Sequence, residues 1–265
     1  MDKLKDLNLK YKIYNPGGNK TALVIGNEYN KSEKKIINNT ILKENQDIEQ
    51  VGFISTKENK LEMAGGEFCA NASRCAVWEY LNGKKGEILL DVSGMNQAII
   101  GGITENKEVF IKMSVNKRIN NIIKNGATFS FIDLDGILFA ILDEINSKKY
   151  INELNKNEKR TKNKLKEIMK NFKSDKKAVG IILLEKEKVK LKINPIVWVK
   201  EIDTLFYETA CGSGSLATAI YEYDTEGIEK INILQPSGYS INVKLELEKD
   251  IIKNAIISGK VFKEE

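Results

Sequence analysis

Apolar and polar positions alternate along most of the chain. Two glycine-bearing loops that run into helices interrupt that pattern. Lys10 to Tyr14 and Thr21 to Ile25 carry the two-residue period of short strands, with the dense turn Asn15-Pro16-Gly17-Gly18-Asn19 between them. Lys31 to Asn45 holds Ile36, Ile37 and Ile41 among polar neighbours, the spacing of an amphipathic helix. Gln50 to Ser55 and Lys60 to Met63 read as strands. The stretch AGGEFCANASRC, from Ala64 to Cys75, begins as a loop and continues as a helix through AVWEYLN. Gly86 to Val92, Gln97 to Ile100 and Val109 to Met113 resume the strand pattern, which makes one α+β unit.

A second unit begins near residue 116. Ala127 to Leu134 and Ile137 to Ile141 read as a hairpin turned at Asp135-Gly136. Glu144 to Lys177 is lysine-rich and predicts one or two surface helices, with helical apolar spacing only from Leu165 onward. Ala178 to Leu184 and Val189 to Ile193 are expected strands, and Phe206 and Tyr207 end another. ETACGSGS then leads into the helical LATAIYEY. Asn232 to Gln235, Tyr239 to Leu247 and the closing Ala255 to Phe262 are the last strands. The organisation therefore occurs twice: strands, a cysteine-bearing loop, a helix, then strands. Sequence identity between the halves is low, so the repeat is one of architecture.

Composition narrows the chemistry. Among 265 residues there are 42 Lys and Arg, 37 Asp and Glu, 3 Cys and no His, for a net charge of +5. A disulfide-stapled scaffold, a His-ligated metal and a His proton relay are excluded. No secretory h-region and no membrane-length apolar run are present, so a cytoplasmic protein is expected. The small basic surplus does not predict nucleic-acid binding, and the lysine run 144–177 reads as a solvated face.

Two of the cysteines, Cys69 and Cys211, fall at expected helix starts. Unpaired N–H groups and the helix dipole there favour an anion, which predicts a depressed thiol pKa. Two such thiols facing one small anionic molecule could take a proton from one side of a carbon and return one from the other. A cysteine is also a small apolar residue, and both readings stand on chemistry alone. Cys75, beside Ala76, Val77 and Trp78, reads as core.

MAGGEFCANASRC and YETACGSGSLA resemble the two active-site segments of the diaminopimelate epimerase superfamily of cofactor-independent, two-thiol racemases and epimerases. YNPGGNKT and ILQPSGYSI resemble other segments of that family. The resemblance implies an α+β fold of two pseudo-symmetric domains, each a strongly curved sheet around a central helix, with the active site in the cleft between them. The first domain would hold residues 1–115 with a returning strand 254–265 and carry Cys69; the second would hold 116–253 and carry Cys211. It also implies no cofactor, no metal and a homodimer. Cys69 and Cys211 would exchange the roles of base and acid. Ala70, Asn71, Ala72, Gly212, Ser213 and Gly214 would surround the substrate carboxylate and amino group. Asn19, Gln50 and Glu208 would line the same cleft.

Two departures bear on the substrate. Ala70 replaces a glycine of the diaminopimelate epimerases, and Val199 to Thr204 lacks the arginine that grips a distal carboxylate there. YNPGGN, AGGEFCANA and the short ETACGSG are more similar to the histidine racemases that feed opine-type metallophore synthesis. The expected reaction is thus interconversion of L- and D-histidine, with diaminopimelate, lysine or arginine as alternative substrates.

Overall fold

Hydrophobic alternation builds a long ribbon of strands, and two almost wholly buried helices sit against it. The computed structural model describes residues 9–26, 28–115, 118–124, 127–187 and 190–264. The expected domain boundary at residue 116, Val189 of an expected strand, and residues 1–8 of the N-terminal segment lie outside them. The first half runs β1 (Tyr11–Asn15), β2 (Lys20–Gly26), α1 (Lys31–Glu44), β3 (Ile48–Ser55), β4 (Lys60–Met63), α2 (Ala70–Tyr80), β5 (Gly86–Val92), β6 (Ile99–Ile103) and β7 (Val109–Ser114). It is followed by β8 (Arg118–Lys124), β9 (Ala127–Asp133), β10 (Ile137–Leu142), α3 (Glu144–Lys156), α4 (Glu158–Lys170), β11 (Ala178–Glu187) and β12 (Lys190–Val199). The chain closes with β13 (Thr204–Tyr207), α5 (Gly212–Glu226), β14 (Lys230–Leu234), β15 (Ser240–Glu248), β16 (Ile251–Gly259) and β17 (Phe262–Lys263).

Neighbouring strands follow the order β17, β1, β2, β3, β4, β5, β6, β7, β16, β15, β14, β12, β11, β10, β9, β8. β13 adds to the C-terminal half of β12. Among the described residues, parallel pairs occur where a helix makes the crossover. They are β2 with β3 across α1, β4 with β5 across α2, β10 with β11 across α3 and α4, and β12 with β14 across α5. The same succession of parallel and antiparallel pairings thus occurs twice. β16 joins the two series by pairing with both β15 and β7.

α2 lies against β2 to β7, and α5 lies against β9 to β12 and β14 to β16. Residues 70–77 of α2 and 212–220 of α5 are buried on all sides, not along one stripe. Small residues allow the close approach, and the hydroxyls bond within their own helix. Ser73 Oγ donates to the Cys69 carbonyl at 2.8 Å, and Ser215 Oγ to the Cys211 carbonyl at 2.7 Å.

The lysine-rich segment forms two helices because Asn157 serves both. Its N–H closes α3 on the Glu153 carbonyl at 2.9 Å, and its side chain accepts from Arg160 N at 3.0 Å to open α4. β6 starts two residues later than expected and continues through Gly101 and Gly102. Those glycines are packing requirements, since a Cβ on Gly101 would lie 2.1 Å from Val77 of α2. β12 runs on past Ile193 to Val199, and Pro195 sits where its outer partner changes from β14 to β13. The expected closing strand is two, β16 and β17, the second paired with β1. β8 was not expected from the pattern. No helix among the described residues is long and apolar enough to cross a membrane.

Candidate active site

Cys69 and Cys211 do not lie inside the helices they precede; each is the residue that caps one. Cys69 adopts φ −133° and ψ 110° before α2, and Cys211 adopts φ −136° and ψ 104° before α5. In each case the sulfur accepts from the backbone N–H three residues on. Ala72 N donates to Cys69 Sγ at 3.4 Å, and Gly214 N donates to Cys211 Sγ at 3.2 Å. The extended cap residue turns its side chain back over the first turn, which is how Ser or Asp caps a helix elsewhere.

The two helix starts abut. Ala70 N donates to Ser213 Oγ at 3.4 Å, and Asn71 Nδ2 donates to the Ala210 carbonyl at 2.9 Å. A Cβ on Gly212 would lie 2.8 Å from Ala70 Cβ and 2.9 Å from Asn71 Oδ1. Between them opens a small cavity, which both cysteines line. A charge on Cys69 is felt at Cys211.

Of the residues expected around the substrate, Gln50, Ala70, Asn71, Glu208, Gly212 and Ser213 also line this cavity. Ala72 and Gly214 lie behind the wall, where their N–H groups hold the sulfurs. Asn19 is buried in the left-handed region at φ 55°, with its side chain against the Glu208 carboxyl. Its loop is held in place by Asn19 N donating to Thr209 Oγ1 and by Ser237 Oγ donating to the Gly17 carbonyl at 2.6 Å.

The thiols differ in their neighbours. Cys69 Sγ donates to Gln50 Oε1 at 2.9 Å, and Gln50 Nε2 donates to Glu208 Oε1 at 3.5 Å. Glu208 in turn hydrogen-bonds Cys211. One polar chain therefore links the two sulfurs. Glu208 is 7 % exposed, and burial pushes its carboxyl up to about 8. Cys211 N donates to Gln235 Oε1 at 2.9 Å, which anchors the capping residue from behind.

The expected depression of the thiol pKa is not what the structure shows. Burial pushes both Cys69 and Cys211 well up, and the neighbouring Glu208 carboxylate adds to that at each. The N–H donors of the helix starts pull in the expected direction, but the loss of water outweighs them. Cys75 is buried and lines no part of the cavity, as its neighbours predicted.

Three lining features escaped the sequence reading. Glu49 and Glu67 bring two further carboxyl groups to the cavity, and Val197, Val199, Ile202 and Phe206 supply an apolar wall. Glu67 stands two residues before Cys69 and Glu49 next to Gln50, so proximity to the motifs was the only available signal. Among the described residues, no lysine or arginine lines the cavity.

Comparison with known proteins agrees with this geometry. A family model described as the histidine racemase CntK N-terminal domain matches residues 8–263. A histidine racemase of Fusobacterium nucleatum is 28 % identical over 233 residues, which cover 85 % of each chain. One of Staphylococcus aureus is 23 % identical over 247 residues, covering 87 % of this chain and 86 % of that one. Among solved structures, a probable proline racemase from Agrobacterium radiobacter superposes with a TM-score of 0.66 at 12 % identity, covering 96 % of this chain and 91 % of that one. A PhzF-family phenazine biosynthesis protein from Bacillus anthracis gives 0.59 at 11 % identity, covering 97 % and 96 %. These likenesses establish an α+β fold of the PhzF and diaminopimelate epimerase type. Matched over nearly its whole length, the chain belongs to the histidine racemase CntK N-terminal domain family.

Proposed function

We propose that this protein interconverts L- and D-histidine, with Cys69 and Cys211 addressing the α-carbon from opposite faces. The observation that carries this reading is the pair of helix-capping thiols on one cavity, with matching cap geometry and coupled charges. The family match and the curated relatives named as histidine racemases support the substrate. The absence of a basic side chain from the lining disfavours a substrate with a distal carboxylate, such as diaminopimelate.

The α-carboxylate binds at the abutting helix starts, among Ala70 and Asn71 on one side and Gly212 and Ser213 on the other. Backbone N–H groups and the helix dipoles favour the charge it gains as the α-carbon loses its proton. The α-ammonium lies by Glu208, Asn19 and Gln50. There it offsets the Glu208 carboxylate, one of the influences that hold both thiols protonated, and so eases ionisation of one of them. A thiolate short of water is a stronger base than one in solution. It takes the α-proton as a thiol, and the opposite thiol donates its own proton to the other face. The sulfurs then carry each other's former protonation state, ready for the mirror substrate.

The same reading divides the chain into two pseudo-symmetric curved-sheet domains, 1–115 with 254–265 and 116–253. The doubled succession of strand pairings supports this. It also takes the protein to be a cytoplasmic homodimer, which sedimentation and cell fractionation test. Chiral analysis of the products from the proteinogenic amino acids plus LL-diaminopimelate tests the substrate. Histidine should racemise fastest, and a faster reaction with diaminopimelate would replace this reading with that of an epimerase.

A further inference from the structure

Glu67 is one of three carboxyl groups that line the cavity, and its charge is felt at Cys69. It is 8 % exposed, and its Oε2 has no hydrogen-bond partner. A buried carboxylate oxygen is costly to leave unpaired, so a donor arriving in the cavity is held strongly.

Its position is well defined. A Cβ on Gly65 would lie 2.6 Å from Glu67 Oε2 and 2.5 Å from Val199 Cγ1, so the carboxylate and Val199 meet over that glycine. Ser93 Oγ donates to the Glu67 carbonyl at 2.8 Å, and Lys177 Nζ donates to the Gly66 carbonyl at 3.0 Å, which pins the loop from both sides. Of the other two carboxyl groups, Glu49 has both oxygens bonded, whereas Glu208 also has an unpaired Oε2 but sits between Gln50 and Cys211 beside the thiols. Glu67 instead stands where the apolar wall begins.

We propose that Glu67 Oε2 accepts a hydrogen bond from an N–H of the substrate side chain, with Val199 and Phe206 against the ring, and so selects amino acids ending in a planar N–H donor. The proposal rests on the racemase reading of the site and adds the origin of its side-chain selectivity. An acidic side chain is repelled. A ring of the same size without N–H fits the space but leaves Oε2 unpaired. Burial also pushes Glu67 up to about 7, close to the ordinary imidazole range, so one proton can serve both partners.

The test measures racemisation of L-histidine and of L-3-(2-thienyl)alanine, whose ring lacks N–H, by the unaltered protein, Glu67→Gln and Glu67→Leu. The unaltered protein should prefer histidine by about 100-fold or more in kcat/KM. Glu67→Leu should shrink that preference to within about threefold, chiefly by raising KM for histidine, with thienylalanine turnover kept. Glu67→Gln, which keeps an acceptor, should fall between. A preference that survives Glu67→Leu, or equal loss of kcat for both substrates, overturns the proposal. If Glu67→Leu does not fold, Glu67→Gln carries the test with the same sign: an unchanged preference overturns the proposal. Failure of the unaltered protein to racemise histidine overturns the racemase reading as well, whereas an active enzyme with unaltered selectivity overturns this inference alone.

Discussion

The starts of α2 and α5 share a backbone and differ in surroundings. Both caps are extended cysteines, both sulfurs accept an N–H three residues on, and Ser73 and Ser215 make the same bond back to the cap carbonyl. Around Cys69 lie the neutral Gln50 amide and, one turn into the helix, the buried Arg74, whose Nη2 donates to Asn71 Oδ1 at 2.8 Å. Cys211 meets the Glu208 carboxyl directly, and the helix position that matches Arg74 is the apolar Leu216. The caps are alike in geometry, and they differ in the groups that sit directly against each sulfur.

Removing a thiol breaks the comparison most severely. Cys69→Ser and Cys211→Ser should each lower racemisation by about 10³-fold or more, since a hydroxyl ionises far less readily. The melting temperature should change little. Each variant should still exchange the α-proton of one histidine enantiomer with solvent, and the two should retain opposite enantiomers; proton NMR in deuterium oxide reads this directly.

Glu208→Gln tests the charged side next. It should lower kcat/KM by about 100-fold by removing the partner of the α-ammonium. It should also change how stability depends on pH. The Glu208 carboxyl ionises near 8 when folded, against an ordinary 4.5, so the folded state binds its proton more tightly. Its contribution is complete below pH 4.5 and is lost as pH rises to about 8. Thermal melts of Glu208→Gln should therefore fall less steeply across that window.

The interface between the helix starts offers a reciprocal test. Gly212→Ala should destabilise by roughly 1–3 kcal/mol, because its Cβ would collide with Ala70. Ala70→Gly alone should cost about 1 kcal/mol or less, and the double variant should recover much of the Gly212→Ala loss, a coupling that denaturant titration measures. The smallest effect is expected from Gln50→Leu. It unlinks the two sulfurs and should lower kcat about tenfold, more for the direction in which Cys69 is the acid.

Much of the site was legible because its residues sit at helix starts. Glycine, alanine and serine around Cys69 and Cys211 set off a loop from a helix, and the strand pattern on either side was regular. The strand through Gly101 and Gly102 was not legible. Paired glycines read as a break, and only the approach of Val77 explains them. α3 was blurred because Ile145 is 85 % exposed and only Ser147 and Leu154 are buried on it. The thiol pKa was not legible, for a physical reason. Donors near a cap can be counted along the chain, whereas loss of water depends on what the fold places over the sulfur. Glu67 was not legible on the same ground, since an unpaired oxygen exists only in three dimensions.

The most direct test of two opposed thiols is the fate of the α-proton in the first turnovers of L-histidine in deuterium oxide. The account predicts that newly formed D-histidine carries deuterium at the α-carbon while the remaining L-histidine stays protonated. Equal deuterium in both enantiomers from the start would mean a single group serves both faces, and would contradict it.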